Sequence, residues 1–462
     1  MTREEFRVLC TVCLGTFLFF NSFGSINVAL PHIQREFAVS LAIVQWVSIA
    51  GVVLISTLSI CFGRAGDILG RRKLYQSGIM LYALGAGLCA MSQSIVQLLI
   101  FRGVMALGLS IATPMSGAIL ASNFAPQRRG WALGWYAATS AVGRATGPTL
   151  GGIILHFFRW RVIFLMNLMV GLLVSAAVFL VLKGKDERYP DKFDFIGALA
   201  LIVAYPSLLI GLTLGAKTHW AAPMIPVWFL AAAVGTASFV WIELHARKPL
   251  IEPSFFRNLP FSGALLSIVM FTAMHSPVGI LGPLYMVNVL GYSSFFVGVI
   301  MTAMPVFTAL ASPASGKLAD KFDSRYVAVL GLVFLVAGIW MYAHLGTRVH
   351  YLWVAVSLSL MGTGVGFFMP ANQRTAFAAM EPENYGIVAA MLSSFNTGSG
   401  TLGITVAVVL LEHLMGARGV DSPELFASAQ QFSFLAMLPL AGIAIVVLLL
   451  GDIRKIRKFL TI

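Results

Sequence analysis

Fourteen stretches of this 462-residue chain are apolar over lengths that fit a lipid bilayer: 8–29, 41–62, 75–93, 96–119, 131–155, 162–182, 195–215, 224–244, 261–289, 294–314, 326–345, 351–371, 385–411 and 430–451. A hydrocarbon core about 30 Å thick takes about 20 helical residues to cross. Inside it every backbone N–H and C=O needs a partner from the protein itself, which leaves only helices or closed barrels. Barrel strands are segments of about 10 residues with alternating polarity, and these runs are longer and continuously apolar. The expected fold is an all-α membrane protein with 14 spans. Composition supports this: 58% of residues are hydrophobic and 11% charged, against about a quarter charged in soluble domains. In water such a chain would leave large apolar patches uncovered, so an ordinary soluble enzyme is excluded.

The formal net charge of +13 would suggest nucleic acid in a soluble protein. Here the basic residues lie in short clusters between apolar runs, and no nucleic-acid partner is expected. With an even number of spans both termini share one side, and the loops of that side carry 23 of the 31 Lys and Arg while the other loops carry six. Such an excess marks the cytoplasmic face. The chain is therefore expected to be a multi-pass protein surrounded by the lipid bilayer, with both termini cytoplasmic. The first apolar run has no small-residue cleavage site and continues into further spans, unlike a signal peptide. Cys10, Cys13, Cys61 and Cys89 fall in or beside apolar runs and read as small hydrophobes. Neither a metal site nor a cofactor is expected.

One pattern occurs twice. The second span is followed by Gly63-Arg64-Ala65-Gly66-Asp67-Ile68-Leu69-Gly70-Arg71-Arg72-Lys73, and the tenth by Gly316-Lys317-Leu318-Ala319-Asp320-Lys321-Phe322-Asp323-Ser324-Arg325. In these segments the chain resembles the major facilitator superfamily, whose two six-helix halves each carry such a loop. The 253 residues from Gly63 to Gly316 exceed six spans with loops by about two helices. The resemblance is then to the fourteen-span drug:proton antiporter (multidrug efflux) branch, with a six-helix bundle at 1–183, two inserted helices at 184–257, a second six-helix bundle at 258–451 and a basic tail at 452–462. Further matches run in order along the chain: Asn27-Val28-Ala29-Leu30-Pro31, Gln45-Trp46-Val47, Arg102, the span-5 series Gly143, Gly147, Pro148, Gly151 and Gly152, and Trp160-Arg161. The resemblance implies secondary active export of a drug-like or metabolite compound across the cell (inner) membrane, by proton antiport with alternating access. Gly63, Asp67, Gly70, Arg71, Arg72, Gly316, Asp320 and Arg325 would be the conformational switches. Asp323 stands where the first copy has Gly70, so the two turns should differ.

Arg102 and Arg144 fall inside spans, where a charge costs about 2.5–3.5 kcal/mol on insertion scales, so each should face the bundle interior. His275 lies mid-span in the ninth run. The resembled antiporters carry a span-1 aspartate five residues before the Asn of Asn-Val-Ala-Leu-Pro. That position here is Ser22, beside Asn21. The substrate and proton pathway is thus assigned to Arg102, Arg144, Asn21, Ser22 and His275, with Glu36 and Asp67 as further candidates for the proton. Two fixed cations without a fixed anion would repel organic cations, so the small-molecule substrate should be anionic, zwitterionic or neutral and lipophilic. Protons are the expected coupling ion, and a periplasmic adaptor protein is a partner this topology admits. An uncoupled facilitator or metabolite exporter is the alternative. A membrane-embedded enzyme or a sensor is the reading from another class. No span gathers a nucleophile, metal cluster or acid pair, and no Gly-(x)4-Gly-Lys-Ser/Thr loop for ATP is present.

Overall fold

The computed structural model describes residues 2–182, 189, 192–217, 223–246, 248–415 and 423–450. The basic tail expected at 452–462 lies outside the described residues, as do the loop cations Lys183, Lys185, Arg188, Arg247 and Arg418. Among the described residues there is no strand. The long helices are α1 (Arg3–Phe37), α2 (Trp46–Leu69), α3 (Arg71–Met91), α4 (Ile95–Asn123), α5 (Pro126–Phe157), α6 (Arg161–Val181), α7 (Phe195–Lys217) and α8 (Ile225–His245). They are followed by α9 (Leu259–His275, continued by Val278–Asn288), α10 (Ser294–Met301, continued by Ala303–Lys321), α11 (Ser324–Ala343), α12 (Tyr351–Ala378), α13 (Tyr385–Met415) and α14 (Pro423–Leu435, continued by Pro439–Leu450). Thirteen of these are long and apolar enough to cross a membrane. The exception, α5, has the length with 32 residues, but glycines and Arg144 dilute its apolar content.

Local chemistry explains the ends and breaks. The Thr2 hydroxyl accepts the Glu5 N–H, and the Glu5 carboxylate accepts the Thr2 N–H, closing a capping box at the start of α1. The breaks in α9 and α14 come at Pro277 and Pro439, and the break in α10 precedes Pro305. Proline has no N–H to donate and clashes with the carbonyl four residues back. The carbonyl so released at Ala273 lies against Gly403 of α13, where no side chain would fit. Apolar side chains line the outside of the bundle: Leu173 and Phe179 of α6 are 67% and 74% exposed, tenable in lipid and costly in water.

Helices α1–α6 pack mainly on one another, as do α9–α14. Two seams join these sets, α2 against α13 and α5 against α10. The pair α7–α8 packs outside them, with α7 resting on both α2 and α13. Its Tyr205 hydroxyl donates to the Ser394 carbonyl of α13 at 2.7 Å.

The span-5 glycines pack α5 onto α1. A side-chain carbon at Gly143, Gly147 or Gly151 would stand 2.9 Å from the Phe17 carbonyl, 2.6 Å from the Asn21 carbonyl and 2.8 Å from Ser25 Cα, respectively. Gly152 differs: nothing lies within 4 Å of its missing side chain, because one residue further along the helix faces about 100° away. Gly147→Val is expected to lower stability by about 3 kcal/mol, the upper end of overpacking costs of about 1–3 kcal/mol. Gly152→Val should cost well under half of that. Thermal unfolding of the detergent-solubilised variants, side by side, checks the contrast.

Candidate functional site

The segment expected as a loop at 63–73 is mostly helix. α2 runs on to Leu69, and the chain turns only at Gly70, whose φ of 108° demands glycine. Gly63 serves packing rather than turning, since a side chain there would lie 2.7 Å from the Gly386 carbonyl. This helical extension aims Asp67 across the α2–α13 seam. Its Oδ1 accepts the Gly386 N–H at 2.8 Å and its Oδ2 the Ile387 N–H at 3.0 Å. These are N–H groups of the first turn of α13, unsatisfied within the helix, at the positive end of its dipole. Arg71 binds the same carboxylate through Nε at 2.9 Å and Nη2 at 2.7 Å. Its Nη2 also donates to the carbonyls of Pro382 and Glu383 in the turn before α13. Arg72 reaches a helix of its own set, 3.4 Å from Asn123 Oδ1 of α4.

The second copy repeats the device across the other seam. Asp320 accepts the N–H groups of Gly130 and Trp131, at the start of α5, both at 2.8 Å. Gly316 lies against the Gly130 backbone, too close for any side chain. The turn differs, as the sequence led one to expect: Asp323 has a φ of −61° and caps α11 by accepting the Arg325 N–H. Arg325 therefore pairs with Asp323 at 2.6 Å rather than with Asp320. The cation on Asp320 is Arg374 of α12, whose Nε stands at 2.9 Å. Among the described residues, the hydrogen bonds between α1–α6 and α9–α14 lie at this one end, called below the motif end.

Between the two sets of helices lies a cavity whose atom-free space, counted together with the open solvent at its mouth, is about 760 Å³. α1, α4 and α5 contribute Phe20, Thr113, Tyr136, Ser140 and Arg144 from one side. α9, α10, α12 and α13 contribute Ile268, Thr308, Gln373, Ser393 and Asn396, among others, from the opposite side. No carboxylate is among these lining residues. Arg144 is exposed to the cavity, its Nη2 3.2 Å from Ser140 Oγ and its guanidinium 4.5 Å from the centre of the Phe20 ring. That aromatic face stabilises the cation by about 0.5–2 kcal/mol while leaving the outer N–H groups to the cavity.

The other residues assigned to the pathway lie outside this lining. Arg102 is 1% exposed; its Nε donates to the Val47 carbonyl at 3.1 Å and its Nη1 lies 3.1 Å from Met105 Sδ. The guanidinium thus ties α4 to α2, and the cavity holds one fixed cation instead of the two expected. Asn21 donates to Thr146 Oγ1 at 3.0 Å, and Ser22 is buried at 1% exposure, so both are in helix packing. His275 is half-buried at the break of α9, its Nδ1 3.2 Å from the Phe271 carbonyl, within electrostatic reach of Arg144. Glu36 is held by Arg161 and by Trp160 Nε1 at 2.6 Å, away from the cavity.

Sequence reasoning missed Arg374, Tyr385 and most of the cavity. The Tyr385 ring takes the guanidinium carbons of Arg71 and Arg129 at 5.6 and 5.0 Å. One signal was available: Gly130 and Gly386 are 256 residues apart, nearly the spacing of the two Asp motifs.

The family model for the Major Facilitator Superfamily matches residues 12–403 and 261–460. Multidrug resistance protein Stp of Mycobacterium tuberculosis is 30% identical over 88% of this chain and 76% of its own length. Multidrug transporter protein MdtP of Bacillus subtilis is 27% identical over 90% of this chain and 76% of its own. Among solved structures, the human organic anion transporter MFSD10 (TETRAN) superposes with a TM-score of 0.71 at 16% identity, covering 97% of this chain and 100% of that one.

Proposed function

Because the chain belongs to the Major Facilitator Superfamily, and is thus a membrane transporter and not an enzyme, we propose that it exports small molecules by alternating access, driven by protons. In this reading α1–α6 and α9–α14 are the halves that rock, α7–α8 is the inserted pair, and the motif end is cytoplasmic. The observation that carries it is the cavity lined by both halves around Arg144, above seams closed by Asp67 and Asp320. Such an arrangement supports an outward-facing state, and the names of the relatives Stp and MdtP support export. The substrate is anionic, zwitterionic or neutral, because a lone guanidinium in a site of low dielectric repels cations.

The coupling proton is assigned to His275. Asp67 and Glu36 are committed to the bonds described above, whereas the His275 Nδ1 contact with the Phe271 carbonyl leaves Nε2 to exchange a proton. One proton crossing about 100 mV supplies about 2.3 kcal/mol, a concentration ratio of about 40–50 at about 1.4 kcal/mol per tenfold. The test has two parts. A resistance panel in a pump-deficient host should show export of acidic or neutral compounds. Proteoliposomes should then show substrate-driven proton movement that His275→Ala abolishes, while substrate exchange persists. A carboxylate-free lining also favours a second reading, transport without protons. It prevails if exchange is independent of pH and no proton movement accompanies it.

A further inference from the structure

Outside the cavity, two acids meet where α7 begins and α8 ends. Asp194 caps α7, its Oδ1 accepting the N–H groups of Ile196 and Gly197 at 3.1 and 2.9 Å. Glu243 of α8 is 6% exposed, and its Oε2 accepts the Ile251 N–H at 3.0 Å. One oxygen of each remains: Asp194 Oδ2 and Glu243 Oε1 are buried without a hydrogen-bond partner among the described residues. Both aim at one spot. They stand 2.6 and 2.7 Å from the point a side-chain carbon would occupy on Gly197. Glycine leaves that point empty.

A buried Glu243 carboxylate whose free oxygen points at the same spot as a free Asp194 oxygen stays ionised only at a large penalty. A single proton removes it, because a carboxylic acid donating to a carboxylate makes a short, strong hydrogen bond. The proton needs no further ligand, whereas a metal ion would. Among the described residues no group of three His, Cys, Asp or Glu comes together to bind one.

We propose that Glu243 and Asp194 form a proton-binding site, a proton on Glu243 Oε1 being donated to Asp194 Oδ2 over Gly197 and joining the start of α7 to the end of α8. The proton comes from and returns to water at the motif end, on the side where Asp194 is half-exposed. Besides Asp194, the charged group that faces Glu243 among the described residues is Arg64 of α2. His245, on the same helix as Glu243, turns its Nδ1 back to the Trp241 carbonyl at 2.8 Å. Loss of the proton takes the pair from one negative charge to two. That pushes the ends of α7 and α8 apart and draws on Arg64, one turn before Asp67. Since α7 also grips α13 through Tyr205, the site sits in an element that touches both sides of the seam. None of this depends on the direction or coupling of transport.

The test uses the purified full chain. Infrared difference spectra between acidic and alkaline buffer should show a protonated-carboxyl C=O band that is lost in both Asp194→Asn and Glu243→Gln. The melting temperature of the wild type should fall as pH rises through the site. Glu243→Gln, whose amide still donates to Asp194, should lose that fall and keep the stability of the acid form. Gly197→Ala, which fills the space, should abolish the band. The proposal is overturned if the band survives both isosteric substitutions, or if wild type and Glu243→Gln melt in parallel across pH. It is overturned equally if sodium, against potassium at fixed pH, raises the melting temperature of the wild type but not of Glu243→Gln, which would make this a sodium site.

Discussion

Asp67→Asn is expected to shift the protein away from the closed motif end and to cut export by at least about tenfold. The carboxylate receives two N–H groups from the opposite half, at 2.8 and 3.0 Å. Hydrogen bonds to a charged partner contribute about 1.5–3 kcal/mol each. Asparagine keeps one acceptor, but its NH2 would face one of the two α13 N–H groups, donor against donor. It also removes the charge that neutralises Arg71, whose side chain is 4% exposed. A loss of about 3 kcal/mol from one conformation alone changes its population about a hundredfold. Spin labels on the motif ends of α2 and α13 should report the separated distance as the major population. Asp320→Asn should act in the same direction and more weakly, because its carboxylate and Arg374 are 8% and 19% exposed, against 1% for Asp67. Unchanged label distances in Asp67→Asn would show that the bonds across the seam do not set the equilibrium.

The parts of the fold legible in the sequence are those governed by one dimension. Length and apolarity count the spans, and prolines such as Pro277 and Pro439 lie where α9 and α14 break. The Asp motifs were legible because they repeat. Their helical extension was not, since Gly63 and Gly66 look like turn residues until the helices packed on them, α13 and α4, are in view. The cavity depends on how each helix is rotated about its axis. In a membrane helix apolar residues lie on every face, so periodicity does not reveal which one looks inward. Arg102 and Arg144 therefore looked alike, two guanidinium groups in neighbouring spans. What separates them is the backbone nearby: the Val47 carbonyl comes within 3.1 Å of Arg102, whereas among the described residues Arg144 finds a hydroxyl and a ring. Gln373 and Asn396, a polar wall of the cavity, carry no sequence signal beyond being uncharged polar residues in spans.

That difference makes Arg144 the position where a substitution should alter which molecules pass. Arg144→Gln removes the cavity's fixed charge and keeps a polar side chain of similar reach. At an effective dielectric of about 20, two charges 4 Å apart attract by about 4 kcal/mol. Part of this is offset by stripping water from both, so a loss of about 1.4–2.8 kcal/mol, tenfold to a hundredfold, is expected in affinity for an organic anion. Arg144→Lys should retain part of it, since the charge survives but the planar fork over Phe20 does not. Arg144→Glu should go further and admit cationic dyes, which the wild type is expected to repel. Efflux of one fluorescent organic acid and one cationic dye from everted vesicles, measured for all four proteins, separates charge from bulk. A steric role would depress both probes together, whereas an electrostatic one moves them in opposite directions. Arg102→Gln supplies the contrast: with its guanidinium sealed between α2 and α4, it should lower the melting temperature and leave the ratio of the two probes unchanged. If the wild type exports the dye as well as the acid, the lone guanidinium does not select the substrate.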